Sequence, residues 1–509
     1  MSVTWSLEDF DLVRLDLLAS RLALSLKSGD VVTLSGPLGA GKTTFARALI
    51  SRLGGSEDEV PSPTFALMQR YETDRLVLTH CDFYRLEPGE LDELGLGDAL
   101  AEGAVLIEWP ERAQSRLPAD RLDIAIDETA EPYLRRLVLT GHGSWIARLE
   151  RLAALTAFLD RTPYADAPTR YLQGDASTRS YARLVLPGRS AILMNSPRQP
   201  DGPPIRDGKP YSALVHLAED ITPFVAVAAA LRERGLSAPA IYAFDIERGF
   251  VVLEDLGDRV FGTEAAKGHP LAELWVPAVD VLVGLAEAPP QARLPIEGHA
   301  SYSLPTYDVE AMLVETSLLI DWLWPALHGE PAPESLREEY SGLWRPYLES
   351  AAKQDLGWVL RDYHSPNLIW LPDREGVKRV GLLDFQDALH GPLAYDLVSL
   401  LQDARLDVPE ALEAELLARY CAGRGAHSQH FSSDQFRTLY ATLGAQRNSK
   451  ILGIFARLAK RDGKRGYLAH IPRVARYLER DLARPALADL RRFYARILPH
   501  AAGLKTIAP

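Results

Sequence analysis

The sequence predicts two folds in one chain: an α/β P-loop domain with a mostly parallel sheet, followed by a bilobal α+β domain. Three observations lead there. Short apolar strands alternate with amphipathic helices over residues 1–145, the pattern of a parallel sheet covered by helices. Strand-like runs then dominate as far as Asp258, and helices dominate beyond it. Finally, 509 residues exceed what a single hydrophobic core sustains. The expected division is 1–145 for the P-loop domain, 146–258 for a β-rich lobe and 259–509 for an α-rich lobe.

In order, "DVVTLSG" reads as a buried strand and "KTTFARALISRL" as the helix after it. "RLVLTHCDFYRL" and "GAVLIEWPER" are further strands, each ending in an acid, and "YLRRLVLTGHG" closes the sheet. The Leu/Arg-rich "WIARLERLAALTAFLD" is a helix leading into the second domain. There "TRYLQGDASTRSYARLVLPG" and "GFVVLEDLGD" are strands, and "NSPRQPDGPPIRDGKP" is an extended surface loop. Within the helical remainder, "LGWVLRDYHSPNLIWL" and "VGLLDFQDALHG" stand out as strand-and-loop segments.

Composition narrows the function. A net charge of −13 argues against a protein that wraps nucleic acid through its own surface. Two cysteines, Cys81 and Cys421, leave no room for a disulfide framework or a Cys-type zinc site. No apolar run approaches the ~20 residues a bilayer requires. The acidic start "MSVTWSLEDFDLVRL" lacks the basic and apolar regions of an export signal, so the cytoplasm is expected.

The segment Gly36-Pro-Leu-Gly39-Ala40-Gly41-Lys42-Thr43 satisfies G-x-x-x-x-G-K-[ST] between a strand and a helix. Glycines let the backbone curl so that its N–H groups converge on phosphate oxygens. The helix beginning at Lys42, with Thr44 in its first turn, adds its positive dipole end. Lys42 is placed to neutralise phosphate charge and the Thr43 hydroxyl to reach Mg2+. Asp82 and Glu108 end strands beside this loop, where a metal ligand belongs.

Together "GPLGAGKTT", "SPTFALMQRYE", "HCDFYRL" and "IEWPER" resemble the bacterial TsaE (YjeE) family across the first domain. The resemblance implies a small ATPase that works with protein partners of the tRNA threonylcarbamoyladenosine-forming machinery, its tRNA contact being indirect. It implies that Lys42 and Thr43 hold phosphate and Mg2+ and that Asp82 and Glu108 belong to the metal and water site. It also implies a switch-like Thr64 near the γ-phosphate and a Trp109 beside the nucleotide.

In the distal half, Asp362 and Asn367 are spaced D-x-x-x-x-N before an apolar strand, and Asp384 follows the apolar run "VGLL". This is the arrangement of a bilobal protein-kinase-like α+β domain that uses ATP and Mg2+. Asp362 would align an acceptor hydroxyl, Asn367 and Asp384 would hold Mg2+, and Asp396 would support the loop. The wider pattern resembles the aminoglycoside/choline phosphotransferase superfamily, and within it the AmgK-type kinases of N-acetylmuramate and N-acetylglucosamine. That resemblance implies phosphorylation of the anomeric C1 hydroxyl of an amino sugar in cell-wall recycling. Two positions depart from kinase-like patterns. Leu360 stands where many relatives carry His, and Met194 stands near the usual phosphate-binding Lys. Ser177 and Arg179, in a nucleotide-covering hairpin, are the candidates for the missing contact, and Glu254 and Leu256 for an adenine-pairing hinge. The basic stretch "GIFARLAKRDGKRGY" is read as a solvated helix and turn packed against the catalytic lobe rather than as a nucleic-acid patch. Three alternatives stay open at this level: an aminoglycoside or other small alcohol as the acceptor, a first domain acting as a nucleotide-dependent assembly switch, and a first domain that is itself a small-molecule kinase.

Overall fold

The structure, a computed structural model, describes residues 1–54, 67–86, 91, 94–172, 179–198 and 202–498. The chain forms two compact units, Met1–Pro197 with Tyr242–Asp255, and Arg198–Ile241 with Leu256–Pro509.

The first unit begins with a seven-stranded sheet. Its strands are β1 (Ser2–Phe10), β2 (Val31–Ser35), β3 (Met68–Tyr71), β4 (Leu78–Asp82), β5 (Ala104–Glu108), β6 (Leu122–Glu128) and β7 (Arg135–His142). They lie in the order β1-β7-β6-β2-β5-β4-β3. The central four are parallel. Both edges turn antiparallel, β3 against β4 and β7 against β6 and β1, so the sheet is mixed at its margins. Because successive strand residues point to opposite faces, a buried strand must be apolar throughout. Accordingly Val32, Leu34 and Leu106 pack with Leu22, Phe45 and Leu49 of helices α1 (Leu12–Ala23) and α2 (Lys42–Arg52). Val31, Val105 and Ile107 join Phe83 in a separate cluster.

The helix Trp145–Leu159 serves two cores. Trp145, Leu149 and Leu152 belong to the P-loop core. Leu155, Phe158 and Leu159 pack with Ala182, Leu184, Leu193 and Phe250 of a second, five-stranded sheet. That sheet is antiparallel through its pairing of Thr169–Leu172, Ser180–Leu186, Arg189–Asn195 and Phe250–Glu254. Its first strand is tied to α1, since the Thr169 amide donates to Ser20 Oγ at 3.1 Å and the Thr169 hydroxyl to the Ser20 carbonyl at 2.8 Å.

The second unit is mainly helical. Its centre is the long helix Ser433–Arg461, started by Ser432, whose hydroxyl accepts the Gln435 amide. The helix buries polar Gln446, Asn448 and Ser449 along with its apolar face. The Pro/Gly stretch after residue 202 includes a small hairpin, Pro204–Arg206 against Lys209–Pro210. Two further strand pairs, Leu356–Val359 with Leu389–Pro392 and Leu368–Trp370 with Val380–Leu382, interrupt the helices. Among the described residues no helix is long and apolar enough to cross a membrane.

Candidate active sites

The first site forms where β2, β4 and β5 end together, at the carboxyl edge of the parallel strands. Gly36, Gly39 and Gly41 take φ values of 136°, 82° and 110°. At Gly36 nothing larger fits, since a Cβ would lie 2.2 Å from the Ile126 carbonyl oxygen. Lys42 is buried at the head of α2, with Nζ donating to the carbonyls of Gly36 (2.8 Å) and Pro37 (2.9 Å). Trp109, itself at φ 59°, lies under this ammonium with its ring centre 3.7 Å away. Burial lowers the Lys42 pKa, against the opposing charges of Glu108, Glu111 and Asp82.

Register brings the two acids together: Asp82 pairs with Glu108 across β4 and β5, strands about 4.8 Å apart. The Thr43 hydroxyl donates to Glu108 Oε2 at 3.0 Å, and the Tyr84 amide to Asp82 Oδ1 at 2.9 Å. Lys42, Thr43, Asp82, Glu108 and Trp109 therefore share one end of the sheet, with Ala40 buried behind the loop and Thr44 exposed at its rim. His80 is a member the sequence reading missed. Fully buried, it bonds Glu108 Oε1 through Nε2 at 2.9 Å, and its Nδ1 has no partner among the described residues. Its only signal was a polar residue two before Asp82 in an apolar strand, hence on the same face. Thr64 lies outside the described residues.

The second site is built by a strand pair. Leu368 faces Leu382 in register, so Asn367 lies opposite Leu383, the residue before Asp384. The Leu383 amide donates to the Asn367 carbonyl at 2.9 Å. Asn367 Nδ2 donates to the Asp362 carbonyl at 3.0 Å, which ties the catalytic-loop positions to the metal positions. Gln386 Nε2 donates to Asp384 Oδ1 at 2.8 Å. Arg361 and Asp384 both adopt positive φ, 74° and 55°.

Asp396 explains how the first of these is held. Its carboxylate accepts the Leu360 amide at 2.5 Å and the Arg361 amide at 2.8 Å. Burial pushes the Asp396 carboxyl up to about 7 in spite of those two bonds. Asp403 fixes the far side of the loop by accepting the Ser365 amide at 2.8 Å. Burial also pushes His364 down to about 4, against the pull of Asp403 and Asp362. Asp403 was not read from sequence, nor were Glu315, Tyr307 and Lys450. Glu315, with 0% exposure, bonds the Arg361 guanidinium and the Tyr307 hydroxyl and takes Lys450 Nζ at 2.8 Å.

Met194 is buried in its strand, between Val251 and Tyr181 on the neighbouring strands. Arg179 directly precedes the strand Ser180–Leu186, and Ser177 lies outside the described residues. Glu254 ends the strand that closes the first unit, and Leu256 opens the second.

Both clusters offer oxygen donors, carboxylate, hydroxyl and amide, which suit a hard cation. No group of three His, Cys, Asp or Glu stands ready to hold a metal alone among the described residues. Mg2+ bound through one or two carboxylates and completed by phosphate oxygens fits that donor set.

A loop strained at Arg361, carrying Asp362 and tied through Asn367 to the strand pair that leads to Asp384, in a chain that also holds a P-loop, fits an ATP-dependent phosphotransferase joined to a P-loop nucleotide-binding domain. The model of the phosphotransferase enzyme family matches residues 134–430, and that of the threonylcarbamoyl adenosine biosynthesis protein TsaE matches residues 11–137. The chain belongs to the phosphotransferase enzyme family and carries a TsaE-family domain ahead of it. It is 39% identical over 359 residues to an N-acetylmuramate/N-acetylglucosamine kinase of Caulobacter vibrioides, covering 69% of this chain and 97% of that protein. A kinase of the same name from Pseudomonas aeruginosa is 34% identical, over 62% of this chain and 84% of its own. A tRNA threonylcarbamoyladenosine biosynthesis protein TsaE of Rickettsia bellii is 42% identical over 107 residues, 21% of this chain and 74% of that protein.

Proposed function

We propose that the second domain transfers the γ-phosphoryl group of ATP to the anomeric C1 hydroxyl of N-acetylmuramate or N-acetylglucosamine. The first domain, in this reading, binds and hydrolyses ATP in support of tRNA threonylcarbamoyladenosine formation by partner proteins, and both work in the cytoplasm. The functional partition follows 1–145, 146–258 and 259–509. The observation that carries the kinase half is the Caulobacter kinase, matched over 97% of its length, beside a phosphotransferase family match over residues 134–430 that spans Asp362, Asn367 and Asp384.

In the kinase, Asp362 orients the acceptor hydroxyl and takes its proton late in the transfer. Asn367 and Asp384 would hold Mg2+, which when bound supplies charge neutralisation for the phosphates. Positioning carries most of the rate, because phosphoryl transfer asks for little covalent chemistry from the protein. Asp396 keeps Leu360 and Arg361 in place and so aims Asp362. In the first domain the N–H groups of residues 36–44 and the Lys42 ammonium would cradle phosphates. Thr43, Glu108 and Asp82 would hold Mg2+ and align water, and Trp109 would border the nucleotide. Ser177, Arg179 and Thr64 complete the proposed nucleotide contacts, with Glu254 and Leu256 as the adenine hinge.

Incubation of the full chain with ATP and a panel of amino sugars and aminoglycosides, followed by NMR location of the new phosphate, tests the kinase reading. Phosphate on C1 of either N-acetyl sugar is the expected product. Transfer only to an aminoglycoside or to another hydroxyl would replace that substrate assignment.

A further inference from the structure

The long helix Ser433–Arg461 carries a row of cations beneath the catalytic loop. Arg447 is 4% exposed and its NH1 has no partner among the described residues. One turn on, Lys450 donates to Glu315 at 2.8 Å and to the Tyr395 hydroxyl at 3.1 Å, and Tyr395 precedes the loop-holding Asp396. Two turns further along the same face, Arg457 lies half-buried with its guanidinium carbon 5.3 Å from the centre of the Tyr211 ring. Its Nε is buried and has no partner among the described residues. The stretch that contains it, expected as a solvated helix and turn packed against the α-rich lobe, has its packed side at Arg457.

This corner adjoins the chemistry. Tyr211 begins the one-turn helix Tyr211–Leu214, and the Val215 carbonyl just after it accepts from Arg361, the residue before Asp362. The Tyr211 hydroxyl is raised by burial and by Glu315, and lowered by Lys450, Arg361 and Arg457, so all four charges lie around it. Three of those four are cations. Among the described residues Glu315 opposes them, but it is already committed to Arg361 and Lys450, and Asp387 acts on Arg361. Asp462, the other carboxylate near Arg457, is taken up by Arg461 at 2.7 and 3.0 Å. Desolvated positive charge with so little compensation calls for an anion.

We infer that Arg457, with Lys450 and Tyr211, receives the carboxylate of an acidic sugar whose hydroxyl is presented to Asp362. This rests on the kinase reading above and refines it. N-acetylmuramate carries a carboxylate and N-acetylglucosamine does not, so the corner discriminates between the two sugars. A guanidinium binds a carboxylate through a forked pair of N–H donors, a geometry a neutral side chain cannot reproduce.

The test is Arg457→Gln in the full chain, with kcat and KM measured for both sugars and binding of both measured by calorimetry. The expected result is a rise in KM for N-acetylmuramate of about 10- to 100-fold, the scale of a lost charge-assisted hydrogen bond, with its kcat largely kept. The KM for N-acetylglucosamine should change less than about threefold. Arg457→Lys should restore part of the N-acetylmuramate affinity. Equal effects on the two sugars, or no effect on either, overturn the inference. If neither sugar is phosphorylated by the unaltered chain, the reaction assignment fails, and binding then decides: Arg457-dependent preference for the acidic sugar upholds the pocket, and its absence rejects it.

Discussion

The loops of the two candidate sites meet the same steric demand by opposite means. In the first, the residues forced to positive φ are Gly36, Gly39 and Gly41, which accept it without strain. In the second they are Arg361 and Asp384, which bear side chains in a region that costs on the order of 1–3 kcal/mol per residue. That cost is met by partners far away in sequence. Asp396 grips the Leu360 and Arg361 amides that lead into the strained bond, and Glu315 grips the Arg361 side chain. A cradle made of backbone can be written in a few consecutive residues, whereas one made of side chains is spread over the domain that supports it.

Substitution can break this comparison most severely at the chemical groups themselves. Asp362→Ala should lower sugar phosphorylation by about 10³-fold, within the range for loss of a positioned base, while ATP hydrolysis by the P-loop persists. Lys42→Ala should do the reverse. Parallel assays on purified full-length variants decide it, and one change that silences both activities would show the sites to be interdependent.

A matched pair of glycine exchanges sharpens the contrast with smaller effects. If backbone strain were all that mattered at Arg361, glycine there would relieve it. Because the guanidinium is one half of a buried pair with Glu315, Arg361→Gly should instead cost about 3 kcal/mol of stability in the second unit and lower kcat. Gly36→Ala should cost about 1–3 kcal/mol and weaken ATP binding at the first site, because its Cβ meets the Ile126 carbonyl. Thermal melts and nucleotide titrations measure both. A neutral Arg361→Gly would mean that the loop is held by its backbone alone.

The smallest expected effect is on pH dependence. Burial would raise the Glu315 carboxyl, but Lys450 and Arg361 outweigh it and hold it down to about 2 from its ordinary 4.5. A carboxylate depressed by folding adds stability that is complete above its unfolded pKa and is lost as pH falls toward the folded value. The second unit should therefore lose this contribution between about pH 4.5 and 2, and Glu315→Gln should flatten that limb of a melting-temperature profile.

The same contrast decides what could be read from the residues alone. The P-loop and the strand-ending Asp82 and Glu108 were legible because motif and periodicity are local. Asp362, Asn367 and Asp384 were legible because a short spacing and two strands fix them. Glu315 was not, although a lone acid inside "AMLVETSLL" signals a buried charge that needs a partner. Its partners stand 46 and 135 residues away, and nothing in the chain names them before it folds. His80 stayed hidden for the converse reason, since its role comes from the neighbouring strand's register. The antiparallel margins of the first sheet were equally out of reach, because strand direction at an edge is set by topology rather than by composition.

The helix Trp145–Leu159 has a practical consequence of its own. Since its first half completes one core and its second half another, neither neighbour can be excised without leaving an apolar flank open to water. A gene cut at this helix would yield two fragments prone to clump, so the activities are best dissected by point substitution.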